Sequence, residues 1–157
     1  MTYEYGRARL ADTSELVRLR EGYLTADLGE LRPDQCASIE RELPPYLERH
    51  LDRDLFAFVA RDDQGGIVCC AWLLLVEKPP SPRFPRGRTG TLFNVYTEPA
   101  HRRRGLARQV MTVLLDASRE MGLDVIELHA TDDGYPLYRS LGFEDDSSTH
   151  VAMRLML

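Results

Sequence analysis

Hydrophobic and polar positions alternate along this chain in blocks that read as a succession of short elements. Residues 3–10 suggest a first strand. Asp12, with Glu15 three positions on, makes a capping-box-like start for a helix carrying Leu16, Val17, Leu19 and Tyr23. Across 27–54 the apolar spacing is helical but broken. Pro33 can open a helix, whereas Pro44 and Pro45 lack the N–H that a helix interior needs, so two short helices are expected. Residues 55–61 and 67–76 are apolar and partly β-branched, and the polar, glycine-bearing stretch 62–66 between them suits an antiparallel hairpin.

Four prolines within 78–90 make that segment a loop. Residues 91–96 read as a strand ended by Glu98-Pro99. A long helix follows, with Leu106, Val110, Val113, Leu114, Ala117 and Met121 on one face and Gly122 placed to end it. Residues 125–129 return as a strand, 135–141 as a short helix, and 151–155 as a last strand after the polar stretch 144–150. A strand, helix and strand across 91–129 implies parallel pairing, and the hairpin implies antiparallel pairing. The expected fold is therefore α/β (α+β), a mixed sheet flanked by helices. With neither repeat nor linker in 157 residues, it is expected to be one domain over 1–157.

Composition narrows the function classes. With 43% hydrophobic and 29% charged residues the chain has the make-up of a folded protein. A net charge of -5 argues against a nucleic-acid or anionic-membrane partner, so any bound anion must be held locally. Cys36, Cys69 and Cys70 have no metal-ligand spacing; idle thiols in a reducing cytoplasm are expected, and no metal. The charged first 20 residues lack a signal-peptide core, and the longest apolar run, 67–76, is about half of what a bilayer crossing requires. A cytoplasmic protein is the expectation.

The informative segment is Arg102-Arg103-Arg104-Gly105-Leu106-Ala107-Arg108, between the strand 91–96 and the long helix. The first N–H groups of a helix have no partner within it, and its dipole adds positive potential there. A phosphate satisfies both. Gly105 lets main chain approach an anion, Ala107 keeps the next turn small, and the arginines offer charge-assisted hydrogen bonds. Taken alone, the run also fits a solvated helix start. Its neighbours change the balance: Asn94-Val95-Tyr96-Thr97-Glu98-Pro99 stands before it, and Pro136-Leu137-Tyr138-Arg139-Ser140-Leu141-Gly142-Phe143 one strand later.

Together these three segments resemble the GNAT N-acetyltransferase superfamily. Arg102, Gly105 and Ala107 match its R/Q-x-x-G-x-G/A signature, and 137–143 its L-Y-x-x-x-G-F helix and turn. The resemblance implies a mostly antiparallel central sheet in which two parallel strands splay to admit the pantetheine arm of acetyl-CoA. It places Val95, Tyr96 and Thr97 along that arm, and Arg102, Arg103, Arg104, Gly105, Leu106, Ala107 and Arg108 around the pyrophosphate. An N–H near Val95 would polarise the thioester carbonyl. The implied activity is acetyl transfer to a primary amine, of a small molecule or peptide, by direct attack in a ternary complex. The alternative is a module of the same fold that binds acyl-CoA without turnover.

Tyr138 matches the family tyrosine beside the sulfur, where a phenol can protonate a departing thiolate. A plain half-buried aromatic is the other reading. The strand 91–96 carries no carboxylate, so no base is assigned; Glu77, His129, Asp132 and Asp133 are candidates. Relatives often have Asn and Ala seven and four residues before the tyrosine, where this chain has Thr131 and Gly134. Thr131 can still offer a hydroxyl to pantetheine, and Gly134 is expected to loosen the helix start. Asp27, Glu30, Asp34, Glu40 and Glu42 would attract a cationic amine, or simply solvate a helix face. A homodimer through 151–155 is left open.

Overall fold

The middle of the chain is apolar at consecutive positions because its two strands are covered on both faces. In the computed structural model, which describes residues 1–157, β2 (Leu55–Arg61) and β3 (Ile67–Glu77) are central in a five-stranded sheet. β1 (Glu4–Arg7) and β2 pair antiparallel, as do β2 with β3 and β3 with β4 (Arg88–Thr97). β5 (Val125–Glu127) runs parallel to β4 at the far edge, giving the order β1-β2-β3-β4-β5.

Period-two geometry sorts the side chains. Phe56, Phe58, Ala60, Cys69, Ala71 and Leu73 face α3 (Leu106–Glu120), which returns Leu106, Val110, Met111 and Leu114. Leu55, Ala57, Val59, Cys70 and Trp72 face α1 (Thr13–Leu28) and α2 (Pro33–His50). Each fully buried Leu or Met on α3 contributes roughly 1.5–3 kcal/mol. Adjacent Cys69 and Cys70 thus lie in opposite cores, and burial pushes their thiols up to about 11 and about 12. A short α4 (Tyr135–Ser140) completes the elements. No helix is long and apolar enough to cross a membrane.

Several expectations need correction. α2 continues unbroken through Pro44 and Pro45. The carbonyls these prolines cannot engage belong to exposed Glu40 and Arg41, which water can reach. α1 starts where Asp12 predicts, without a capping box: the Asp12 carboxylate accepts from Arg9 N–H and from Arg61 Nη1 and Nη2, while Glu15 accepts from Arg18 and from Ile67 N–H. β4 begins at Arg88 rather than 91, because Thr89–Thr91 pair with β3 on one side and β5 on the other, beyond the last proline. β5 ends at Glu127, two residues early. The strand expected at 151–155 does not form: residues 144–157 make no backbone–backbone hydrogen bond.

Candidate active site

Register pairs between β4 and β5 stop at Thr91 and Glu127. Beyond them the strands part, and Leu128, His129 and Ala130 make no backbone–backbone hydrogen bond. The gap is a cleft of about 800 Å³, lined on the β4 side by Leu92 to Thr97. A bulge shapes this wall, since Cys70 faces Tyr96 while Trp72 faces Phe93, leaving one residue of β3 opposite two of β4. One of the two is Asn94, at φ 52° in the left-handed region that asparagine tolerates better than most residues.

Asn94 is buried and held from three sides. Its Oδ1 accepts from Arg20 Nη1 at 3.0 Å, its Nδ2 donates to Cys70 Sγ at 3.5 Å, and its carbonyl accepts from the Cys70 thiol at 3.4 Å. Arg20 lies within about 6 Å of the Tyr23, Trp72 and Phe93 ring centres and has no carboxylate partner. Burial lowers its pKa from the usual guanidinium value.

At the foot of the cleft, the backbone N–H groups of residues 103–108 have no acceptor in the protein. Arg103 (φ 60°) and Gly105 (φ 74°) both turn left-handed there, which bends successive amides toward one side as an anion-binding nest does. Gly105 is the N-cap of α3, and a Cβ on it would meet no protein atom within 4 Å, so the space in front of the amides is open. The arginines divide by role. Arg102 Nε donates to Thr97 O at 3.0 Å with its guanidinium over Tyr96, and Arg108 donates to Ser140 Oγ, tying α3 to α4. Arg103 and Arg104 are exposed and in no ion pair. Leu106 contributes only main chain, its side chain being buried in the core.

The opposite wall comes from the turn before α4. Thr131 Oγ1 accepts from Gly134 N–H at 3.2 Å, which leaves its hydroxyl proton to donate. A Cβ at Gly134 would sit 2.9 Å from the Tyr138 ring, so the glycine makes room for it. Tyr138 is half-buried, edge-on to Phe143 at 5.9 Å, and burial, with Tyr23 nearby, pushes its phenol up to about 12. Tyr23, Ala26 and Asp27 of α1 complete the rim.

Of the base candidates, His129, Asp132 and Asp133 line the cleft, whereas Glu77 sits at the far end of β3 opposite Arg88. Of Asp27, Glu30, Asp34, Glu40 and Glu42, only Asp27 reaches it; Asp34 and Glu42 pair with Arg32 and Arg41. The sequence reading missed Arg20, Tyr23 and the Asn94 bulge. A signal existed for each: a charged residue on the apolar stripe of α1, an aromatic one turn later, and an asparagine inside an apolar strand. No group of three or more His, Cys, Asp or Glu is arranged for a metal ion.

Comparison with known proteins agrees with this geometry. The Acetyltransferase (GNAT) family model matches residues 20–143. A protein from Clostridium acetobutylicum described as a predicted acetyltransferase and solved with acetyl-CoA has a TM-score of 0.85 and 28% identity, covering 98% of this chain and 96% of its own. A GCN5-related N-acetyltransferase from Ralstonia eutropha JMP134 has a TM-score of 0.79 and 25% identity, over 97% and 99%. A ribosomal-protein-alanine N-acetyltransferase from Brucella melitensis biovar Abortus 2308 has 0.71 and 26%, over 98% and 99%. No curated protein matches the chain.

Proposed function

The chain belongs to the acetyltransferase (GNAT) family, and from that premise we propose that it moves an acetyl group from acetyl-CoA to a primary amine bound in the same cleft. The observation that carries this reading is the run of six unpaired amides at 103–108 opening into a gap between two parted parallel strands. A pyrophosphate and an extended, amide-bearing arm need those two features side by side.

In this reading Arg103 and Arg104 add charge to the amides around the diphosphate, and Arg102 and Arg108 hold the surrounding chain in place. The free edge of β4 at Val95, Tyr96 and Thr97, with the Thr131 hydroxyl opposite, orients the pantetheine. Bound acetyl-CoA supplies the thioester: the amine nitrogen forms a bond to the carbonyl carbon as the C–S bond breaks, and sulfur leaves with the electron pair. Main-chain N–H at Val95 is offered to the carbonyl oxygen as it gathers charge. Tyr138, its phenol kept protonated by burial, donates to the sulfur. The proton shed by nitrogen has acceptors on the wall in His129, Asp132, Asp133 and Asp27, and the three carboxylates favour arrival of a cationic amine.

Calorimetric titration of acetyl-CoA into the protein and into Gly105→Glu tests the reading. Native protein is expected to bind. The variant is expected not to, because its side chain enters the open space before the amides and brings a like charge. Native protein that fails to bind removes the basis of the proposal. Binding without CoA release across a broad amine panel instead favours an acyl-CoA-binding module without turnover.

A further inference from the structure

Among the charged side chains near the cleft, Arg20 holds its strongest hydrogen-bonding edge unused. It gives Nη1 to Asn94 Oδ1 at 3.0 Å, while its Nε and Nη2 meet no acceptor in the protein. Neither of these two nitrogens is sealed from solvent. Nε and Nη2 form the edge of a guanidinium that takes a carboxylate side-on, one N–H to each oxygen. Elsewhere in the molecule that edge is engaged in this way: Arg32 Nε and Nη2 donate to the two Asp34 oxygens at 3.0 and 3.2 Å.

The surroundings of Arg20 say what that edge is for. Its guanidinium lies 5.9, 6.0 and 5.8 Å from the ring centres of Tyr23, Trp72 and Phe93. Aromatic faces attract the charge but offer no acceptor to its N–H groups. A half-buried charge without a counterion is unfavourable, and a bound anion removes the penalty. Tyr23 and Phe93 also line the cleft, so Arg20 stands one ring behind the wall. The one arginine or lysine among the lining residues, Arg102, serves Thr97 O at the foot of the cleft.

On α1, Arg20, Tyr23 and Asp27 follow at i, i+3 and i+7, which puts them on one face of the helix. That face is positive at one end and negative at the other, with a phenol between. A ligand complementary to it carries both an ammonium and a carboxylate. Resting on the acetyl-transfer reading of the cleft, we propose that the acceptor amine is an amino acid, its carboxylate held side-on by Nε and Nη2 of Arg20 and its amine delivered past Asp27 to the thioester. Arg20 then serves two partners with one planar group. Nη1 fixes Asn94 in the bulge of β4, and the opposite edge selects the substrate.

Leucine, β-alanine and aminocaproate, each with its carboxamide, supply matched pairs that differ in the separation of amine and carboxylate. Binding is read without turnover from the fluorescence of Trp72, the single tryptophan, with CoA present; transfer is read as CoA release from acetyl-CoA. In at least one pair the acid is expected to bind and react about 10- to 100-fold better than the amide. In Arg20→Met that ratio should fall to near unity, and in Arg20→Lys, which keeps the charge without the fork, it should lie between. Losing the bond to Asn94 lowers both members of a pair alike, so the ratio reads the carboxylate alone. No difference within any pair overturns the proposal, and equal CoA release from acids and amides does so while leaving acetyl transfer standing. A preference that survives Arg20→Met overturns it too, because the carboxylate is then held elsewhere. Acids that change Trp72 fluorescence in native protein but not in Arg20→Met, with no CoA release, uphold the carboxylate site and overturn the transfer reading instead.

Discussion

β2 and β3 share register from Leu55 with Leu74 to Arg61 with Ile67, while β4 and β5 share three pairs and separate. The first pair is buried on both faces and its main chain is paired along its length. The second surrounds a cleft in which polar main chain is left without partners. The β2–β3 and β3–β4 pairings each carry a register shift, but only the one facing the cleft, at Asn94, places a non-glycine residue in the left-handed region. Unpaired amides, positive φ at Arg103 and Gly105, and a half-buried phenol with a raised pKa all collect on the cleft side. A fold can leave such groups unsatisfied only where another part of the sheet supplies the stability, and the twin cores around β2 and β3 do so.

If that division holds, changes on the two sides should have separable effects. The largest is expected at Tyr138→Phe. The ring keeps its burial and its contact with Phe143, so stability should change by less than about 1 kcal/mol. The rate of CoA release with an accepting amine should fall about 100-fold or more, with acetyl-CoA affinity nearly unchanged. Since burial holds the phenol at about 12, the rate should not decline through its ionisation below about pH 10. An unaltered rate in the variant would exclude Tyr138 as the proton donor.

Leu73→Ala is the converse. Leu73 is fully buried on the α3 face of β3 and does not line the cleft. Denaturant unfolding should show a loss of about 2–5 kcal/mol. Acetyl-CoA affinity of the folded protein should stay within about twofold of native, a difference under roughly 0.5 kcal/mol. A large loss of affinity would show that core packing and the cleft are coupled.

The position that belongs to both sides is Asn94, whose side chain lies among core groups and whose main chain bulges toward the cleft. Asn94→Ala removes the acceptor for Arg20 Nη1 and puts a Cβ-bearing residue without local hydrogen bonds at φ 52°, so about 2 kcal/mol of stability should be lost along with acetyl-CoA affinity. Asn94→Gly relieves the backbone part alone and should fall between Ala and native. Equal losses in the two variants would mean that the backbone conformation contributes nothing.

The same division sets what was legible in the sequence. The doubly buried strands announced themselves as apolar runs, and the amide nest lies where Gly105 and the arginines of 102–108 placed it. Tyr138 lies on the cleft as its spacing before Gly142-Phe143 implied. What could not be read depended on distant parts of the chain meeting. Asp12 forgoes a capping box because Arg61, 49 residues away, claims its carboxylate. Arg20 reaches Asn94 across 74 residues. Pro44 and Pro45 looked like a break because local rules ignore the tertiary contacts, such as Leu47 in the core, that keep α2 whole. For 151–155 the alternation suggested a strand, but a strand also needs a partner main chain, and residues 144–157 make no backbone–backbone hydrogen bond.

The smallest expected effect tests the division from the core side by pH. Asp12 lies beside β2, and the Arg61 guanidinium, bonding both carboxylate oxygens at 3.0 and 2.7 Å, holds its pKa below the usual carboxylate value. A depressed pKa favours the folded state wherever the unfolded carboxyl would already be ionised, above about pH 4, and that advantage fades as pH falls through the folded value. Asp12→Asn should therefore be less stable than native by about 1–2 kcal/mol at neutral pH, with the gap narrowing below about pH 4. Acetyl-CoA affinity at neutral pH should be the same in both proteins, because Asp12 and Arg61 sit across the sheet from the cleft, beside β1 and α1. A gap that stays constant with pH would assign the loss to something other than the Arg61 ion pair. A matching loss of affinity would show that the sheet transmits strain from β1 to β4, and that the two halves contrasted here act as one.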